Sequence, residues 1–345
     1  MHVPDGFLDL PTSIATGAVA AGVVGLGLQR AEREVKEAGA PLAGLTAAFV
    51  FAVQMVNFPV GAGTSGHLMG GALAAMLVGP WTAVLCMTVV LVVQGLLFAD
   101  GGLTALGTNI TLMGLVTVLV GYLVAKALLG VMPRRAGSVV PAAVVGAFVS
   151  VPAAALVFVG LYVVGGSVPI DLGTLTAAML GWHVLIGAGE ALITGAVVGA
   201  VVATRPDLVY VARHLRPDLV LSGADGTTSV VRPEALPVRR TTRRPLAVGL
   251  AVSLIVAGLV SLFASANPDG LEYVGERLGL GEAAAGSVVA GSPLADYGVS
   301  LVTSSWLSAS LAGVVGVLVT AALGVGLARL ARRGGQDRTV EPSQA

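Results

Sequence analysis

Nine apolar runs settle the solvent of this 345-residue chain before any motif is considered. They lie at about 11–29, 41–58, 67–79, 81–98, 104–129, 138–165, 174–203, 245–265 and 305–330. A bilayer core is crossed by about 20 residues of helix, and most of these runs meet that length. Residues 67–79 are shorter and end at Gly79-Pro80, so that segment is expected to be tilted or partly buried. Hydrophobic residues make up 55% of the chain and charged residues 11%, which fits an all-α integral membrane protein. The 48 glycines agree, because glycine lets membrane helices approach closely.

Charge gives an orientation. With residue 1 outside the membrane, Arg30, Arg33, Lys36, Lys126, Arg134 and Arg135 fall inside. So do the eight arginines between Arg205 and Arg244, and Arg329, Arg332, Arg333 and Arg338 of the tail. Only Arg277 lies outside, so 18 of the 19 basic residues obey the positive-inside rule. The expectation is an external N-terminus, a cytoplasmic C-terminus and an odd number of spans in the cell membrane. The Arg-, Pro- and Asp-rich stretch 205–244 reads as a cytoplasmic linker. It divides a seven-helix bundle, 1–204, from a two-helix transmembrane hairpin, 245–345.

Several function classes drop out. Zero net charge without a basic soluble domain argues against nucleic acid. Cys86 is the lone cysteine, which excludes an intrachain disulfide and a cysteine metal site. Neither a His-Glu-x-x-His helix nor a Gly-x-x-x-x-Gly-Lys loop occurs, so the chain carries no metalloprotease signature and cannot itself bind ATP phosphates that way. Transport powered by ATP would need a separate ATPase. The first ten residues hold two Asp and neither Lys nor Arg, the reverse of a secretory signal, so Met1 is expected to remain.

Four histidines remain to carry chemistry. The chain opens Met1-His2, and a free amine, the residue 2 amide and the His2 ring can close two fused chelate rings on one metal ion. Three nitrogens in a plane suit Ni(II) or Cu(II) better than Mg(II) or Ca(II). A frayed terminus is the plain alternative. His67 follows the turn-like run 61–66 on the same face and is expected to open a helix; there it either completes the nitrogen plane or serves as a hydrogen-bonded structural residue. His183 and Glu190 are seven residues apart, hence on one helix face. A carboxylate inside a span is a functional candidate, though it can equally hold the bundle together. Gln54 and Asn57 are either hydrogen-bond supports for metal-bound histidines or links between helices, and Asn109 has the same two readings. His214 sits in the basic linker and reads as solvated.

Three stretches together resemble one family. Met1-His2-Val3-Pro4-Asp5-Gly6-Phe7-Leu8, the run from Val56-Asn57-Phe58-Pro59 through Ser65-Gly66-His67-Leu68, and His183 through Glu190 to Thr194 are similar to the CbiM/NikM substrate-binding components of energy-coupling factor transporters. Asn267-Pro268-Asp269-Gly270-Leu271-Glu272 resembles a PDGLE domain, the small CbiN/NikN-like component, here fused. The resemblance implies uptake of Ni(II) or Co(II) as substrate, with no prosthetic group. It implies a metal held by the Met1 amine, the His2 amide and ring, and His67; Gln54, Asn57, Ser65, His183 and Glu190 are then candidates for supporting that site or for coupling. It also implies a CbiQ/NikQ-like coupling protein and CbiO/NikO-like ATPases as partners. Each Pro-Asp-Gly, at 4–6 and 268–270, reads as a tight turn. A membrane metal sensor lacks an output domain here, and a vitamin-binding component would want more aromatic residues than the 5% present.

Overall fold

The computed structural model describes residues 1–215, 219–222, 228–231 and 243–334. All nine apolar runs contain helix, but not all of them are long enough to cross a bilayer. Helices α1 (Leu10–Ala38), α2 (Ala40–Gln54), α3 (Gly71–Val78), α4 (Pro80–Leu97), α5 (Leu106–Val131), α6 (Ala136–Gly165) and α7 (Leu172–Thr204) form the first unit. Helix α8 (Arg243–Gly258), the short α9 (Gly270–Leu278) and α10 (Ser305–Gly334) form the second. Among the described residues seven helices, α8 counted with its continuation to Phe263, are long and apolar enough to span a membrane; α2, α3 and the short α9 are not. The nine-span expectation is corrected to that extent. The second unit packs on the first, with α10 lying against α2 and α1.

Local chemistry explains the departures. Helix α2 stops at Gln54 because the chain turns into a β-hairpin, β1 (Phe58–Gly61) against β2 (Thr64–Gly66). His67 therefore does not open a helix. It lies in the extended stretch before α3, which starts only after Gly70 at φ +81°. A left-handed residue there favours glycine, and the Val50 side chain packs where a Cβ would stand. All eight residues of α3 are buried, as a helix that is apolar all round must be. The linker contributes another unexpected hairpin, β3 (Leu219–Ser222) with β4 (Thr228–Val231); the rest of 216–242, and the side chain of His214, lie outside the described residues.

The helices bring two sets of loops to opposite ends. At one end Asp9 caps α1 by accepting the Thr12 amide at 2.9 Å. Here the N-terminal segment is tied to three loops: Asp9 N to Gly165 O at 2.7 Å, Gly102 N to Val3 O at 2.9 Å, and Ala285 N to Asp5 O at 2.8 Å. The Asp5-Gly6 turn fits the expectation, and Gly6, at φ +91°, is closed in: a Cβ would stand 2.1 Å from the Ala283 carbonyl oxygen. The second Pro-Asp-Gly is different. Asp269 is the N-cap of α9, in a capping box with Glu272. At the opposite end the buried Glu34 carboxylate accepts the Thr82 amide and hydroxyl at 2.7 and 2.8 Å, joining α1 to α4.

Candidate metal centre

The N-terminal segment is threaded into the bundle. Val3 is clamped by Asn109, which accepts its amide at 2.7 Å and donates to its carbonyl at 3.2 Å. Asn109 directly precedes a π-helical stretch of α5, Ile110–Val116, a distortion often found beside functional positions. Asp5 accepts the amides of Leu103 and Thr104 at 3.1 and 2.7 Å. These bonds bury Met1 and His2.

The Met1 amine then meets His67. Its nitrogen is 2.6 Å from His67 Nε2. His67 Nδ1 lies 2.9 Å from the Leu68 carbonyl, a partner that requires the ring proton on Nδ1 and leaves the Nε2 lone pair facing the amine. The His2 and His67 rings stack with centroids 5.1 Å apart. Metal–nitrogen bonds of about 2.0–2.1 Å place neighbouring corners of a square plane about 2.8–3.0 Å apart. The amine and His67 Nε2 are thus nearly at the spacing of two adjacent donors. Among the described residues no group of three or more His, Cys, Asp or Glu side chains is arranged to hold a metal ion. A site here must draw on backbone nitrogens.

Two carboxylates face the amine and the His2 ring. Asp269, from the second unit, accepts from the Met1 amine at 2.6 Å and sits 3.4 Å from His67 Nε2. Its other oxygen caps α9 through the Leu271 and Glu272 amides at 2.8 and 2.9 Å. Burial opposes its charge, but the charged amine beside it outweighs burial and holds the carboxyl well below the usual range. Asp100 lies 3.2 Å from His2 Nδ1, and Gln94 Oε1 is 3.2 Å from His2 Nε2. Burial pulls the His2 ring down to about 4 even with Asp100 beside it, so the ring is neutral at physiological pH. Next to these groups opens a cavity of about 360 Å³, lined by His2, His67, Asp5, Asp100, Asp269 and Glu272 among others.

The supporting residues do less varied work than the sequence suggested. Gln54 donates to the Met69 carbonyl at 2.8 Å, bracing the chain after His67 rather than either ring. Glu190 accepts the Met69 and Gly70 amides at 2.6 and 3.1 Å, bracing the same stretch from α7. Ser65 donates to the Asn267 carbonyl at 2.7 Å and its amide to Pro268, which joins the hairpin to the second unit. Asn57 lines the cavity, and its carbonyl accepts the Ser265 amide at 2.8 Å. His183 is bonded through Nδ1 to the Met179 carbonyl at 2.7 Å. Its Nε2 has no hydrogen-bond partner among the described residues, and it lines a narrow crevice with Met1, His67 and Asp269. Asp269, Asp100, Gln94 and Tyr297 escaped the sequence reading. The repeated Pro-Asp-Gly was the available signal for the first; the others carry no local mark.

Residues 2–208 match the family model for CbiM, the cobalt uptake substrate-specific transmembrane region, and residues 243–333 match the PDGLE domain. The chain belongs to the CbiM family. Like other proteins of this type it is a membrane component of cobalt or nickel transport. A relative in Archaeoglobus fulgidus that bears the NikMN name is 34% identical, over 96% of this chain and 99% of its own length. The fused nickel transport protein NikMN of Rhodobacter capsulatus is 30% identical, over 97% and 100%. Among solved structures, a truncated transition metal transporter superposes with a TM-score of 0.52 at 30% identity, covering 59% of this chain and 99% of that one. This CbiM-type chain therefore carries the fusion to a PDGLE unit that the residues around Asp269 suggested.

Proposed function

We propose that this chain is the substrate-binding component of an ATP-driven importer of the energy-coupling factor type, taking up Ni(II) or Co(II). The metal is held by the Met1 amine, the His2 amide, His2 Nδ1 and His67 Nε2. The observation that carries this reading is the 2.6 Å approach of the Met1 amine to the His67 Nε2 lone pair, with the His2 ring stacked beside them. The orientation follows from the basic residues, with the N-terminus and the acidic cavity outside and the C-terminus cytoplasmic. A hydrated cation reaches a cavity whose carboxylates attract it. His2 Nδ1 leaves Asp100, the amine leaves Asp269, and Gln94 keeps the far ring nitrogen. A CbiQ/NikQ-like coupling protein and CbiO/NikO-like ATPases supply the power stroke, since the chain has no phosphate-binding loop of its own. The units are assigned as 1–204 for the metal-binding bundle, 205–244 for the linker and 245–345 for the PDGLE hairpin.

Metal content measured by mass spectrometry, after purification from cells supplied with both metals, tests the substrate class. Protein free of both nickel and cobalt would end the proposal.

The protonation states give a sharper check. Metal binding competes with protons, so affinity falls as pH falls. An ordinary imidazole would set that limit near 6.5, but His2 stays neutral down to about 4. Chelation near neutral pH then displaces no proton from the His2 ring. Calorimetry between about pH 5.5 and 7.5 should show nickel affinity falling as pH falls. Affinity that does not change with pH would remove the amine and the amide as ligands.

The PDGLE unit is assigned to the loading or holding of the metal, on the strength of the Asp269 contact with the amine. Deleting 245–345 should cut uptake about 10-fold or more, the size expected when supports of a metal ligand are removed. Uptake at the full-length rate would remove this role.

A further inference from the structure

Asp100 presents a difficulty for a four-nitrogen site. Its Oδ1 is 3.2 Å from His2 Nδ1, the nitrogen that must bind metal. Once the metal takes Nδ1, that carboxylate stands beside a divalent cation with no imidazole to occupy it. A carboxylate oxygen is a good fifth ligand, and taking it would turn a square plane into a five-coordinate site.

Something already holds this carboxylate. The Tyr297 hydroxyl, from the loop before α10, donates to Asp100 Oδ2 at 2.5 Å. The phenol keeps its proton: burial, then the neighbouring Asp100, pushes it well above its ordinary range. Its ring stacks on Phe98 with centroids 4.9 Å apart. The Asp296 amide donates to the Phe98 carbonyl at 2.9 Å. Both Asp296 and Tyr297 are in the left-handed region, at φ +52° and +57°. Two consecutive non-glycine residues in that region are sparsely populated and persist only where surrounding contacts fix them. The backbone strain delivers one hydroxyl to one carboxylate oxygen. The geometry points to Tyr297 as a positioning residue of the metal site. It holds Asp100 in the outer shell, close enough to orient the His2 ring and too firmly bonded to join the metal. Metal preference follows, because a strict four-nitrogen plane favours Ni(II), whereas Co(II) gains from an added oxygen ligand.

This assignment rests on the four-nitrogen reading of the site, and one experiment separates the two. The ligand-field spectrum of bound nickel is recorded for the full chain, for Tyr297→Phe, and for Tyr297→Phe combined with Asp100→Asn. The unaltered chain should give the diamagnetic, square-planar signature. Its absence there would overturn the site reading itself, and the Tyr297 role with it. Tyr297→Phe keeps the stacking on Phe98. It should introduce a paramagnetic, higher-coordinate component and move the nickel-to-cobalt affinity ratio about 10-fold toward cobalt, the lower end of outer-shell effects. Adding Asp100→Asn should restore the square-planar spectrum, because the freed ligand is gone. If Tyr297→Phe changes neither spectrum nor ratio, or the double variant matches the single one, Tyr297 does not restrain Asp100.

Discussion

Adding a single residue ahead of Met1 should lower nickel affinity by more than the 10- to 100-fold that outer-shell changes typically cost. The added peptide bond turns the amine into an amide. One corner of the proposed plane is lost, and the fused chelate ring moves out of register with His67. The same extension acts on the empty protein. The Met1 amine and Asp269 form a buried pair at 2.6 Å, and removing one member of such a pair costs about 3–5 kcal/mol. Equilibrium dialysis against nickel and thermal melting of the metal-free protein should therefore both register the change. An extended chain that binds nickel with unaltered affinity would eliminate the amine as a ligand. Unaltered affinity with a lowered melting temperature would assign the amine a structural role only.

The second large effect is expected at Glu190, which touches none of the proposed ligands. Its two oxygens accept the amides of Met69 and Gly70, immediately after His67. Replacing it with alanine leaves two buried N–H groups without an acceptor, at about 1–3 kcal/mol each. Glu190→Ala should thus destabilise the protein by about 2–5 kcal/mol and loosen the backbone that aims His67. Glu190→Gln keeps one carbonyl oxygen and should lose about half as much. Melting temperature and nickel affinity should fall in step across the two variants. Loss of transport with both quantities intact would instead make Glu190 a participant in metal movement.

The helices were legible because lipid imposes a length and a charge rule that a single sequence displays. One of the two exceptions was visible, since 67–79 was too short to span; the shortening of α2 at Gln54 was not. Nor was the placement of His67. Gly70 adopts a positive φ and delays α3, and nothing in the run Gly61 to Gly66 distinguishes a hairpin from a simple turn. The proposed ligand set rests on Met1-His2 and the family motifs. The carboxylates facing it could not be read that way, because Asp100 and Asp269 reach their partners across contacts 98 and 268 residues long. Asp269 was partly foreshadowed. Its Pro-Asp-Gly-Leu-Glu setting is a helix-capping pattern, which fixes one of its oxygens locally and leaves the other free for the amine.

The pairing of Met1 with Asp269 also sets an order of events during synthesis. The first residue of this chain to be made has its charge partner 268 positions downstream, so this ion pair cannot form until the second unit has been translated and inserted. Closing so long a loop carries an entropic cost that only late, cooperative packing repays. A polypeptide cut short before the second unit keeps the Val3 and Asp5 anchors of its N-terminal strap and lacks the carboxylate that meets the amine.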